Sequence, residues 1–197
     1  MVGHRLPDGD GEIVLYTALA LRHHSVVTST NDLELWAKTH HEAGHAVIGL
    51  RLGIRVCRVA ALEDPSGGTT AWDKRTVTPK REIMLLLAGA AAQARCFPGF
   101  QTTHVGQALV AFNASEDERR IDELLQQLAP DADSRSAIRT ELATRVESML
   151  DDPVTWETVR VLAGVLASLP FVGEDLLLRI YADKFGGTPN AEADSSS

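Results

Sequence analysis

His41-Glu42-Ala43-Gly44-His45 is the stretch whose residue types and spacing together propose a reaction. On a helix, side chains at i and i+4 share one face about 5–6 Å apart at Cβ. Both imidazoles can therefore lean on one ion held about 2.0–2.1 Å from each nitrogen. Glu42 flanks His41 on the adjoining side, where its carboxylate can reach a metal-bound water without being a ligand. This is the HExxH pattern of zinc hydrolases, two ligands and a general base in one turn of helix. Chance alone yields HExxH in roughly one chain in a hundred of this length at average composition, so the context has to decide. It favours a metal helix. Asn31 or Asp32 can cap the N-terminus, Leu33, Leu35, Trp36, Ala46, Val47 and Leu50 supply a face to bury, and Gly53 stands close to the end.

A catalytic zinc keeps three protein ligands and one open position, so one ligand remains to be found. The metzincin pattern puts a third histidine six residues after the second and a glycine three after it. Arg51 and Ile48 hold those positions, which excludes that class. Glu63 and Glu82 are formal candidates for a glutamate ligand from a later element, neither with a distinctive context. His40 points about 100° away around the helix. His23, His24 and His104 have no ligand spacing to the pair and read, like His40, as surface groups or partners of the ligands.

The elements that must position this motif follow from patterning. A chain of 197 residues is long enough for one domain with a sizeable core, expected over 13–185 between a flexible start at 1–12 and a disordered tail at 186–197. The net charge of -8 and the lack of a basic face exclude a nucleic-acid partner. The apolar run Ile13 to Leu21 is too short for a membrane span and has acidic residues before it, unlike a signal peptide, so a soluble cytoplasmic protein is expected. Cys57 and Cys96 are too few for a disulfide framework and form no Cys-x-x-Cys pair.

After the motif, Ile54 to Ala61 alternates β-branched with basic residues as a half-buried strand does, and Asp64 to Gly68 signals a turn into a second strand, Thr69 to Trp72. Thr78-Pro79 starts a helix whose run Ile83 to Cys96 is apolar enough to be nearly fully buried, with small residues Ala88 to Ala92 for close helix contact. A loop is expected from Pro98 to about Gly106. Ser115-Glu116-Asp117-Glu118 reads as a capping box opening a helix through Leu128. Helical patterns recur over 131–150, 153–169 and 173–185. The fold class is mainly α (α+β), with a small β-sheet or hairpin after the HExxH helix.

Beyond the motif, the run Ile83-Met84-Leu85-Leu86-Leu87-Ala88-Gly89-Ala90-Ala91-Ala92 and the element Ala114-Ser115-Glu116-Asp117 follow His41 to Leu50 in an order that resembles the peptidase domain of FtsH-type proteases. In that family HEAGH precedes a strand, a Gly-Thr-containing edge segment, a Leu-Leu-Ala-Gly-x-x-Ala-Glu helix and an Ala-Ser-Asn-Asp element. The similarity runs roughly from Leu33 to Tyr181 and implies a helical, zincin-like metallopeptidase domain.

The resemblance makes Asp117 the third zinc ligand beside His41 and His45, with Glu42 as the catalytic base. The bland alternative for Asp117 is a charge stabilising a helix N-terminus. It also implies Zn2+ as cofactor, peptide-bond hydrolysis through a metal-activated water, and an unstructured polypeptide as substrate. The strand around Gly68 to Trp72 can hold that substrate by β-augmentation, although a plain hairpin accounts for it equally well. The family carries an ATPase module and membrane anchors, and this sequence has neither a Walker A pattern nor a transmembrane run, which implies an ATP-independent domain working alone, as a homo-oligomer, or with a separate unfoldase. Gln93 replaces the family's Glu after the Leu-Leu-Ala-Gly run, and Phe112-Asn113 replaces its Thr-Gly before Ala-Ser. Two alternatives remain: a weak or inactive binding or regulatory module, and a zinc hydrolase of a non-peptide amide or ester.

Overall fold

The computed structural model describes residues 30–64, 67–96, 104–187 and 189. The histidines His23 and His24, the Ile13 to Leu21 run, the expected flexible start and most of the expected tail lie outside the described residues. Helix α1 spans Thr30–Arg51, strand β1 Val56–Asp64 and strand β2 Gly67–Trp72. A short 3-10 turn at Lys74–Thr76 leads to α2, Pro79–Cys96. Then come α3, His104–Leu128, α4, Ala132–Asp151, and α5, Pro153–Leu166, followed by β3, Phe171–Gly173, and α6, Glu174–Phe185. The described residues are mainly helical, with one small antiparallel sheet among them.

The motif helix is the centre of the molecule. From Thr39 to Leu50 every residue of α1 is buried, because α2 and α5 pack along it and the sheet covers a further side. Helix α2, expected to be nearly fully buried over Ile83 to Cys96, buries most of that run up to Gln93, while Leu87, Ala90 and Ala91 are half-buried. The small residues of α2 do permit close approach. A Cβ placed on Gly44 of α1 would stand 2.5 Å from the Ala88 carbonyl oxygen and 2.6 Å from Ala92 Cβ, so Gly44 is there because the two backbones nearly touch. Helix α1 ends where its glycine predicts. Gly53 adopts φ 69°, its N–H donates to Leu50 O at 2.9 Å, and Ile54 N–H donates to Gly49 O at 2.9 Å, closing the last carbonyls in a Schellman turn.

The sheet order is β2-β1-β3, antiparallel throughout. Val59 at its middle faces Thr70 on one side and Val172 on the other. A register shift between Val56 and Arg58 lets Cys57 and Arg58 both reach solvent while Val56 and Val59 stay buried, so the expected alternation is interrupted by one bulged residue. Strand β3 was not expected. Three residues are too few to show a period of two, and Val172 is a strand residue only because β1 is there to pair with it.

Several helix boundaries are corrected. The sequence reading ends a loop at Gly106 and caps a helix at Ser115, whereas α3 runs unbroken from His104. Nothing between His104 and Ser115 stops a helix, and propagation costs less than a second nucleation, so the local capping signal loses. Asp117 therefore lies within the helix, not in its first turn, which removes the helix-terminus explanation of its charge. Residues 98–103 of the expected loop lie outside the described residues. The expected cap at Asn31 or Asp32 is corrected too: α1 begins at Thr30, so both residues lie inside the helix. Asp131 accepts from Ser134 N–H at 2.7 Å to open α4, and Asp152 precedes Pro153 and accepts from the N–H groups of Val154 and Thr155 to open α5. Helix α5 ends at Leu166, short of the expected 169. Among the described residues, no helix is long and apolar enough to cross a membrane.

Candidate metal centre

One turn of α1 presents His41 and His45 toward α2 and α3, their rings nearly perpendicular at 86° with centroids 4.5 Å apart. Asp117 reaches them from α3. Its Oδ2 lies 3.0 Å from His41 Nε2 and 3.1 Å from His45 Nε2, and the two Nε2 atoms are 2.9 Å apart. Both histidines are buried, and the Asp117 side chain keeps 18% of its surface exposed, so the triangle opens to solvent on the α3 side.

The outer nitrogens decide what the inner ones can do. His45 Nδ1 lies 2.8 Å from the Leu85 carbonyl oxygen, an atom that can only accept, and His41 Nδ1 lies 3.2 Å from Gln93 Oε1. With Nδ1 donating in this way, a ring that is neutral presents its lone pair at Nε2. With both rings neutral, two lone pairs and a carboxylate oxygen converge with no donor among them, an arrangement that needs a positive charge at its centre. Three ligand atoms about 2.0–2.1 Å from a tetrahedral ion stand roughly 3.3–3.4 Å apart, so the observed edges are a few tenths of an ångström inside that triangle. The donor set could hold a metal ion.

The protonation of the site without metal tells the same story. Burial alone lowers the pKa of His45, but the hydrogen bond and charge of Asp117, helped by the charge of Glu42 and the Leu85 carbonyl, outweigh it and raise it to about 9. Burial works to raise Asp117, and its hydrogen bonds to His41 and His45 overcome that and hold its carboxyl well below the usual range. One positive charge is wanted, which either a proton or a cation can supply.

Two glycines make room for this cluster. A Cβ on Gly89 of α2 would collide with His45 Cε1 and Nε2 and stand 2.8 Å from His41 Nε2. A Cβ on Gly68 of β2 would overlap the Glu42 carboxylate, 2.5 Å from its Cδ. Glu42 is itself buried, and its Oε2 accepts from Thr70 Oγ1 at 2.7 Å.

The structure therefore brings together His41, His45 and Asp117, with Glu42 on the same helix beside them. Glu82 is elsewhere: its oxygens pair with Arg120 at 3.0 and 3.3 Å, which rules it out of the cluster. Glu63 lies on β1, and its side chain is outside the described residues, as is that of His104. His40 does not fit the surface reading. It is buried, with Nδ1 2.9 Å from the Trp36 carbonyl and its ring beside Trp36 and Trp156, because on a helix enclosed on all sides every direction is interior. Cys57 and Cys96 are free, and burial pushes the Cys96 thiol up to about 12. Sequence reasoning missed the roles of Leu85, Thr70 and Gly89. A backbone carbonyl leaves no sequence signal. For Thr70 a weak one exists, since it is two residues from Gly68 and so on the same face of β2. Compared with known proteins, the chain matches no family model and no curated protein.

Proposed function

We propose that this chain is a zinc-dependent metallopeptidase of the FtsH type, cleaving peptide bonds in unstructured polypeptides. The observation that carries this reading is the convergence of two Nε2 lone pairs and one carboxylate oxygen beside a second carboxylate, that of Glu42, on the same helix turn. Two imidazoles and a carboxylate suit zinc among the common divalent ions. Bound by His41, His45 and Asp117, zinc would supply Lewis acidity, lowering the pKa of a water toward about 7 and polarising a scissile carbonyl.

The chain's own groups do the rest. Glu42 takes the proton of the attacking water on a carboxylate oxygen and delivers it to the leaving amine nitrogen. Its burial limits exchange of that proton with bulk solvent. His41 and His45 are held in ligating orientation by Gln93 and Leu85. Strand β2 pairs with β1 on one side only, so among the described residues its outer edge has no strand partner. An extended substrate that paired along this edge would run past Gly68, which lies against Glu42.

The test compares wild type, Glu42→Gln and Asp117→Ala on unfolded casein, with bound zinc measured in each by elemental analysis. Wild type should hold one zinc and cleave casein; Glu42→Gln should hold zinc and cleave at least a hundredfold more slowly. Equal cleavage by Glu42→Gln would refute the base, and normal zinc in Asp117→Ala would refute the third ligand.

A further inference from the structure

We propose that Thr70, on the strand that covers the motif helix, is the positioning residue that orients the Glu42 carboxylate for proton transfer. The inference rests on the reading of Glu42 as the base. Thr70 is 8% exposed, and its hydroxyl donates to Glu42 Oε2 at 2.7 Å; the Glu42 main-chain carbonyl, at 3.3 Å from the same oxygen, is the weaker acceptor. A hydroxyl has one hydrogen and a carboxylate about four lone-pair sites, so this bond fixes the carboxylate while leaving it free to accept a proton.

The other side of the carboxylate is closed by backbone. Gly68, two residues before Thr70 and on the same face of β2, lies so close that a Cβ would overlap Glu42 Oε1 and Cγ. Glu42 is thus gripped between a hydroxyl and a bare main chain, both supplied by one short strand. That strand is itself registered through its middle: Thr70 faces Val59 of β1, and Val59 faces Val172 of β3. The sheet sets the hydroxyl, and the hydroxyl sets the base. A glutamate without this tether has three side-chain torsions to spread over, whereas proton transfer needs heavy atoms within about 2.6–3.2 Å. A displacement of about 1 Å costs on the order of a hundredfold in rate.

The geometry also gives β2 two roles at once, since the edge that has no strand partner among the described residues belongs to the strand that holds the base. Any shift of β2 moves the Thr70 hydroxyl and with it Glu42.

Thr70→Val keeps the shape and the β-branched preference for strand but removes the donor, and Thr70→Ser restores the hydroxyl. Zinc-loaded wild type, Thr70→Val, Thr70→Ser and Glu42→Gln are compared on fluorescein-labelled casein, together with zinc affinity and crystal structures of the Thr70 variants. Thr70→Val should lower kcat 10- to 100-fold with KM and zinc affinity within twofold of wild type, and Thr70→Ser should recover to within threefold. In the Thr70→Val structure the Glu42 carboxylate should leave its wild-type rotamer or occupy more than one; in Thr70→Ser it should not. The proposal is overturned by a Thr70→Val kcat within twofold of wild type while Glu42→Gln is inactive. Loss of zinc by Thr70→Val would overturn it too, since the role would then be support of the metal site. An unchanged single Glu42 rotamer in Thr70→Val overturns it whether or not casein is a substrate. Full activity of Glu42→Gln strikes instead at the reading of Glu42 as the base.

Discussion

Gly89→Ala adds one methyl group to the far side of the histidine pair, and the structure says how much that must cost. The new Cβ would overlap His45 Nε2 and stand 2.8 Å from His41 Nε2, where ordinary contact begins near 3.4 Å, so His41 has to retreat by about 0.6 Å and His45 by more. Metal–ligand distances tolerate about 0.2 Å, so neither ring can stay in the coordination shell without displacing the other. Removing the support of a ligand costs about 10–100-fold in metal affinity, and here both ligands move, so at least a hundredfold is expected. Alanine is meanwhile the better helix former by roughly 1 kcal/mol, which offsets part of the cost, about 1–3 kcal/mol, of crowding a packed core in the metal-free fold. Thermal unfolding with and without zinc separates the two effects. At a free zinc concentration of 100 times the wild-type Kd, ligation stabilises wild type by about 2.7 kcal/mol, worth roughly 5–11 °C. The same concentration only equals the Kd of the variant and stabilises it by about 0.4 kcal/mol. A zinc-induced rise in Tm as large as that of wild type would refute the placement of Gly89 beneath the ligand atoms.

Metal affinity should fall as pH falls below about 9, because His45 must lose its proton to ligate; between pH 8 and 7 the loss is about tenfold, read by competition with a chromophoric chelator. The metal-free protein should show the opposite trend. The His45 pKa is raised from 6.5 to about 9 on folding, so its stabilisation is fully present below 6.5 and disappears as pH rises through 9, and Tm without zinc should drop over that window. Asp117, held below its ordinary value, contributes above the ordinary carboxylate range and loses that contribution only in strong acid. Arg120→Met should strand the buried Glu82 carboxylate and destabilise by about 1–3 kcal/mol in urea unfolding, with Glu82→Gln in the same background recovering part of it; no recovery would mean the pair is not what joins α2 to α3. Asp152→Ala removes both the α5 cap and the acceptor of Arg51 at 2.8 Å, and a loss of about 1–3 kcal/mol by the same method is expected.

Much of the fold is legible because most elements carry a period or a punctuation mark of their own. The end of α1 at Gly53, the hairpin of β1 and β2, and the caps at Asp131 and Asp152 are local events, decided by residues a few positions apart. The failures share a cause as well. Strand β3 exists through its partner, and α3 starts at His104 and not at Ser115 because a capping box is weighed against the whole helix around it. The surface reading of His40 fails because the exposure of a helix face depends on what packs there from elsewhere.

The motif divides along the same line. That His41 and His45 share a face, with Glu42 beside them, follows from 3.6 residues per turn and was present in the sequence alone. The residue types Asp117, Gly89, Gln93 and Thr70 are equally present there, but nothing local ties them to the pair. Asp117 was singled out only through a family resemblance. Packing decided the rest: α2 passes close enough to require Gly89, α3 crosses so that Asp117 arrives 3.0 Å from His41, and β2 lies over Glu42. Within an element, backbone geometry aims side chains; between elements, packing, chiefly the burial of apolar faces against one another, sets which side chains meet.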